Sequence, residues 1–111
     1  MIEITVLNYL KEQLDVPVYM ERPEDDEGEY VVIEKTSSSR TDHIRHAVFA
    51  FQSFAETLLR AAEINEDVKT AMDGIVELPE ITRSQLNSDY NFTDTTKKRY
   101  RYQAVYDITH Y

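Results

Sequence analysis

The sequence predicts an α+β fold: a mostly antiparallel sheet of about five strands with two helices packed on one face. Two observations carry this. Two segments place apolar residues at helical spacing, and five others alternate or are rich in β-branched and aromatic residues. Their order is helix, strand, strand, strand, helix, strand, strand, which fits helices segregated to one side of an antiparallel sheet. A length of 111 residues suits one hydrophobic core, so residues 1–111 are read as a single domain.

Residues 2–14 open the chain as an amphipathic helix. Ile2, Val6, Leu7, Leu10 and Leu14 form its apolar stripe, Lys11, Glu12 and Gln13 face outward, and Asp15 and Pro17 end it. "PVYMERP" (17–23) reads as a short strand between prolines, expected at a sheet edge. "PEDDEGE" (23–29) is a charged loop in which Gly28 permits the turn. "YVVIEKT" (30–36) is a covered strand, followed by "SSSRTD" (37–42) as a polar connection. Residues 43–54 form a long strand with Ile44, Val48 and Ala50 on one face and Ala47, Phe49 and Phe51 on the other. Two apolar faces imply a central strand, or one face under helices and the other under a partner.

"SFAE" (53–56) has the spacing of a capping box, Ser53 with Glu56, at the start of the second helix. Leu58, Ala62, Val68, Met72 and Ile75 are its expected buried stripe. Asn65 interrupts that stripe, which implies a break or kink, and Gly74 suits a left-handed C-terminal residue. Residues 80–92 alternate with Leu86, Tyr90 and Phe92 in one register, and "TDTTKK" is a turn.

The closing segment 97–111, "KKRYRYQAVYDITHY", interleaves bases with tyrosines. Split by parity, Tyr100, Tyr102, Ala104, Tyr106 and Ile108 point one way. Arg99, Arg101, Gln103, Asp107 and Thr109 point the other, with Val105 the apolar exception. Aromatics and bases are therefore segregated in space. A strand that reads RNA needs them on the same accessible face, so the expectation is a core strand with a polar outer face.

Twelve Lys and Arg against 21 Asp and Glu leave a formal charge of −9, a field that repels phosphate. With no cysteine, disulfides and thiol chemistry are excluded. The opening "MIEITVLNYLKEQL" has neither a basic leader region nor about 20 consecutive apolar residues, so a soluble intracellular product is expected. His43 and His46 lie three apart on a strand and diverge, leaving His110 alone, so no metal site or cofactor is expected. The run Glu24, Asp25, Asp26, Glu27 and Glu29 lacks the alternating spacing and terminal glutamate of a helix–loop–helix calcium site and reads as a solvated acidic loop. Ser37, Ser38 and Ser39 sit in a polar stretch with neither a nucleophile elbow nor a glycine-rich phosphate loop, and no enzyme activity is expected. Asn91-Phe92-Thr93 fits a glycosylation sequon, which matters only in a secreted protein.

Three stretches carry a resemblance: "LKEQLDVPVYMERPEDDEGEYVVIEKTSSS", "HAVFAFQSFAETLLRAAEINEDVKTAM" and "YRYQAVYDI". In element order and pattern, over nearly the whole chain, they resemble the tail-terminator (tail-completion) proteins of long-tailed bacteriophages and of prophages in low-GC Gram-positive bacteria. The resemblance implies a non-enzymatic virion assembly protein. Such a protein caps the tail tube as a ring, typically a hexamer, ends tube polymerisation, and presents the tail-side surface for head–tail joining. Its partners would be further copies of itself (with a monomer in isolation allowed), the tail-tube protein and a head-completion or connector protein. DNA would pass through without specific binding and no membrane would be involved. The implied locations are the host cytoplasm during assembly and the head–tail junction of the virion. Contacts with other subunits or the tube are expected at Ser37, Ser38, Ser39 and Arg40, at the hairpin tip Asp94, Lys97 and Lys98, and at exposed Arg99 and Arg101. The loop Glu24, Asp25, Asp26, Glu27 and Glu29 would line the lumen or its rim. Two alternatives stay open: a head-closure or stopper protein of the same junction, and a small regulatory or nucleic-acid-binding module.

Overall fold

In a computed structural model, which describes residues 1–97 and 99–111, the two helical and five extended segments form one mixed sheet with two helices. Helix α1 is Ile2–Gln13, strand β1 Val18–Tyr19, β2 Tyr30–Thr41 and β3 Ile44–Ala55. Helix α2 is Leu58–Asp73, followed by a 3-10 turn at Ile75–Glu77, β4 Ile81–Asn91 and β5 Tyr100–His110. The sheet order is β1-β2-β3-β5-β4, with every pair antiparallel except β1 against β2. The fold is therefore the expected α+β one, with β1 a two-residue edge strand and β3 central.

Both helices cover the same sheet face. Val6 and Leu10 of α1 and Ala61, Ile64, Val68 and Met72 of α2 share one core with Val31, Ile33, Phe49, Phe51, Ala104, Tyr106 and Ile108. Phe51 lies at its centre, 6.0 Å from Phe49 in a stacked arrangement and 5.9 Å from Tyr106 edge-on. The tyrosine parity of β5 holds: Tyr106 is buried, and Tyr100 and Tyr102 pack against the core as half-buried residues. Burial pushes the Tyr106 phenol up to about 12, with Asp73 adding to the shift.

Several expectations are corrected. Residues 37–41 are not a connection: β2 runs on to Thr41 past a bulge between Lys35 and Ser37, and pairs with β3 to its end. The turn is only Asp42-His43, both at positive φ (52° and 69°), the backbone of a two-residue hairpin of the primed type. No glycine marks it, so composition conceals the turn. The capping box is absent. Ser53 is a buried strand residue, and Thr57 caps α2 by accepting the Arg60 N–H at 3.1 Å. Leu58 is exposed and Ala62 only half-buried, while Ala61, Ile64, Asn65 and Ala71 complete the buried stripe. Asn65 does not break α2. It is buried, and its Nδ2 donates to Asp89 Oδ2 at 3.0 Å, so the donor half of the amide has a partner while Oδ1 has none. Gly74 has φ −92°, so it is not left-handed; its lack of a side chain instead leaves room for the Tyr9 hydroxyl, 3.0 Å from where a Cβ would stand. That hydroxyl donates to Ala71 O at 2.7 Å, tying α1 to the end of α2. A bulge between Leu86 and Ser88 reverses the alternation of β4, so Leu86 shares the helix side with its partner Tyr106 whereas Tyr90 pairs with Gln103 on the other face.

Phe51→Ala is expected to destabilise the protein by about 3–5 kcal/mol, the usual cost of deleting a buried phenyl ring at a site with little freedom to collapse. Urea denaturation checks this as a lower midpoint at unchanged slope.

Candidate functional site

The sheet face away from the helices carries the unusual chemistry. At one end of it, Tyr30 stacks on its cross-strand partner Phe54 with ring centroids 4.7 Å apart. With Val32 these rings form a second buried cluster, separate from the helix-side core. No helix covers it; charged side chains do. The Arg22 guanidinium sits 4.8 Å over Phe54 and that of Arg99 lies 5.4 Å from Tyr30. Arg101 spans Phe54 at 5.4 Å and Phe92 at 4.3 Å while donating through Nε to Phe92 O at 2.9 Å. Tyr90 meets Phe92 edge-on at 5.8 Å, and both are about 40% exposed (41% and 42%). Gln52 donates to Gln103, which donates to the Tyr90 hydroxyl at 2.6 Å, a polar ladder across three strands that locks the ring in place.

Two expected surface bases are thus not free. Arg99 is buried, with 7% of the residue exposed. Its Nε donates to Asp26 Oδ1 at 3.2 Å, its Nη2 donates to Gly28 O, and its Nη1 lies 3.3 Å from Glu56 Oε1 without hydrogen-bond geometry. Arg101 is half-buried, and burial lowers its pKa, with Arg22 adding to the shift. The parity that put Arg99 and Arg101 opposite the tyrosines was correct. What parity misses is that the loop before β2 folds over that face.

That loop is not uniformly solvated either. Asp26, at φ 45°, receives hydrogen bonds from Arg22 at 2.8 Å, from Arg99 and from the Tyr30 hydroxyl. Desolvation pulls its pKa upward, but the bonds from Tyr30, Arg22 and Arg99 outweigh that and hold the carboxyl below its ordinary range. Glu29 accepts from Arg60 at 2.9 Å, and Gly28 N–H, at φ 73°, donates to Glu56 at 3.1 Å. Glu24, Asp25 and Glu27 remain exposed on the loop so fixed.

The other expected contacts are scattered. Ser37, Ser38, Ser39 and Arg40 are exposed on the far half of β2. Asp94 is half-buried and accepts from Thr96 N–H and Oγ1–H, which stiffens the turn; Lys97 is exposed, and Lys98 lies outside the described residues. The structure therefore separates the expected sites into a clamp near Arg99 and an arm tip near Arg40. Sequence reading missed the role of Phe54, Phe92 and Arg22: alternation puts Phe92 with Tyr90 but gives no sign that Arg101 stacks on it, and "MERP" has no periodic signal. Among the described residues, no three His, Asp or Glu side chains converge as a metal site requires, and no helix is long and apolar enough to cross a membrane. No protein-family model matches the chain, and no curated protein sequence matches it.

Asp26→Asn is expected to lower stability at neutral pH by about 1–3 kcal/mol, because it weakens the ionic partner of an almost buried guanidinium. The sign with pH follows from the depressed Asp26 pKa. Its contribution is full above the ordinary carboxylate value and is lost as pH falls through the lower folded-state value. Wild type should therefore lose part of its advantage over Asp26→Asn as pH falls from about 5 to 2, measured by denaturant titration at each pH.

Proposed function

We propose that this protein is a structural component of a long-tailed bacteriophage or prophage. It caps the tail tube as a ring, ends tube polymerisation and forms the tail-side surface for head joining. The reading rests on the chain's likeness in pattern to tail-terminator proteins and on one structural observation, the aromatic and arginine surface of Phe92, Tyr90, Arg101 and Arg22 on the helix-free sheet face. Tyr, Phe and Arg are the residues that anchor protein–protein interfaces, and here they are held rigid before any partner arrives. The preorganised surface is the contact to the tube or the head-side partner. Assembly would take place in the host cytoplasm, with the protein ending at the head–tail junction. A head-closure role at the same junction uses the same surface, and binding to purified tail tubes as against portal complexes separates the two.

A second reading, a nucleic-acid-binding module, is favoured by Arg101 stacked on Phe92 beside Tyr90, a grouping that also suits stacking of single-stranded bases. The −9 charge opposes it. Tight binding of oligonucleotides that weakens steeply with salt would establish it instead.

Electron microscopy of tails assembled with and without the protein tests the terminator reading: tubes of uncontrolled length are expected in its absence, and unchanged tubes would overturn it. The double change Tyr90→Ala with Phe92→Ala should weaken binding to purified tubes about tenfold or more while leaving the circular dichroism spectrum unchanged.

A further inference from the structure

The far end of the sheet holds a second feature that the tube-contact surface does not use. Arg40, Arg45 and His110 stand in one row on adjacent strands, Arg40 opposite Arg45 and Arg45 opposite His110, all on the helix side. They border an open cleft of about 500 Å³ whose other wall is the start of α1 at Ile2 and Glu3. Lys35, also at the cleft, is paired with Glu3 at 3.1 Å. Neither Arg40 nor Arg45 takes part in an ion pair among the described residues, although acids outnumber bases 21 to 12 in the sequence. Like charges directly opposite on neighbouring strands repel. Two exposed guanidiniums in register, with the Ser38 and Ser39 hydroxyls at the same cleft, form a receptor for oxyanions.

We propose that this cleft receives the Glu24–Glu27 segment of a second copy of the chain, an inference that deepens the ring reading and rests on it. Three observations select this occupant. The segment is a loop with three exposed carboxylates (Glu24, Asp25 and Glu27), whereas the acids Asp15, Asp67 and Glu77 line a concavity of their own. It is held in shape by the bonds of Asp26 and Gly28, so little ordering remains to be lost on docking. It also precedes Tyr30 while Arg40 lies ten residues along the same strand, about 33 Å at ~3.3 Å per residue, so a subunit cannot satisfy its own cleft. Complementary patches at opposite ends of a subunit dictate head-to-tail association, the geometry that closes into rings. At physiological salt, screening over about 8 Å leaves such local patches effective while muting the overall charge.

A charge swap tests this by sedimentation velocity on the full chain over a range of concentrations. Wild type should self-associate. Arg40→Glu with Arg45→Glu, and separately Glu24→Lys with Asp25→Lys and Glu27→Lys, should each weaken association about tenfold or more. An equimolar mixture of the two variants should recover it. All five positions are exposed, and urea midpoints verify that each variant folds; Arg40→Gln with Arg45→Gln serves should a reversed charge disturb the strand. A wild type that stays monomeric at every concentration, or a mixture no better than its parts, overturns the proposal. So does binding of inorganic phosphate or a single-stranded oligonucleotide that depends on Arg40 and Arg45 without mutual rescue of the variants. Tail capping that persists while rescue fails sinks the docking alone; rescue with tube length insensitive to the protein sinks the ring-cap reading alone.

Discussion

The register of β3 against β5 is the constraint on which the rest depends. Pairing Phe51 with Ala104 and Phe49 with Tyr106 directs the large rings of two neighbouring strands to the side where α1 and α2 lie. A shift of β5 by one residue would turn Tyr102 and Tyr106 to the other face and bring Arg101, Gln103 and Asp107 under the helices. Burying three such groups without partners would cost far more than the marginal stability of a domain this size. The same register fixes Arg101 beside Phe54, so the helix-free face inherits its chemistry from the pairing that builds the core.

Arg99 ties the helix-free face to the acidic loop. An arginine with 7% exposure has lost most of its hydration, and the Coulombic gain with Asp26 does not by itself offset that. Backbone Gly28 O, the Tyr30 ring and the Glu56 carboxylate, 3.3 Å from Nη1, complete its surroundings, and Asp26 in turn accepts from Arg22 and Tyr30. The clamp therefore specifies geometry as well as adding stability. It ties the acidic run 23–29 down beside the Tyr30–Phe54 cluster, with Glu24, Asp25 and Glu27 left exposed.

Periodicity was enough to read the architecture: the stripe of α1, the alternation of β5, the two apolar faces of β3 and the edge position of β1 all follow from spacing and residue type. It failed where the physical cause is not periodic. Bulges at Thr36 and Asn87 each reset the alternation, which hid the second half of β2 and moved Leu86 away from the face of Tyr90. The Asp42-His43 turn uses left-handed residues without glycine, so residue type alone does not mark the hairpin that lets β2 run past Thr36. Asn65 looked like a helix breaker because its partner, Asp89, lies 24 residues away. For the candidate surfaces, the solvated reading holds for Glu24, Asp25 and Glu27 and for the polar stretch at 37–40, but not for Asp26 and Glu29, which are paired, nor for Arg99, whose 73-residue separation from Asp26 leaves no local trace.

The sheet edges narrow how copies of such a subunit can meet. Among the described residues, the outer edge of β2 is unpaired from Ile33 to Thr41 beyond its short pairing with β1, and β4 is unpaired along its outer side. Long free edges invite strand addition, yet both carry bulges, at Thr36 in β2 and at Thr82 and Asn87 in β4. Bulges twist the hydrogen-bonding groups out of line, and Arg83 and Asp89 on β4 place charge along the edge as well. Open-ended pairing of strand to strand, the route to aggregation, is thereby discouraged. The proposed ring would instead rely on side-chain contacts, the aromatic and arginine surface on one side and the separated acidic loop and guanidinium row toward the two ends of β2. Side-chain contacts of that kind fix the angle between neighbours, and a fixed angle is what lets a ring close after a set number of copies.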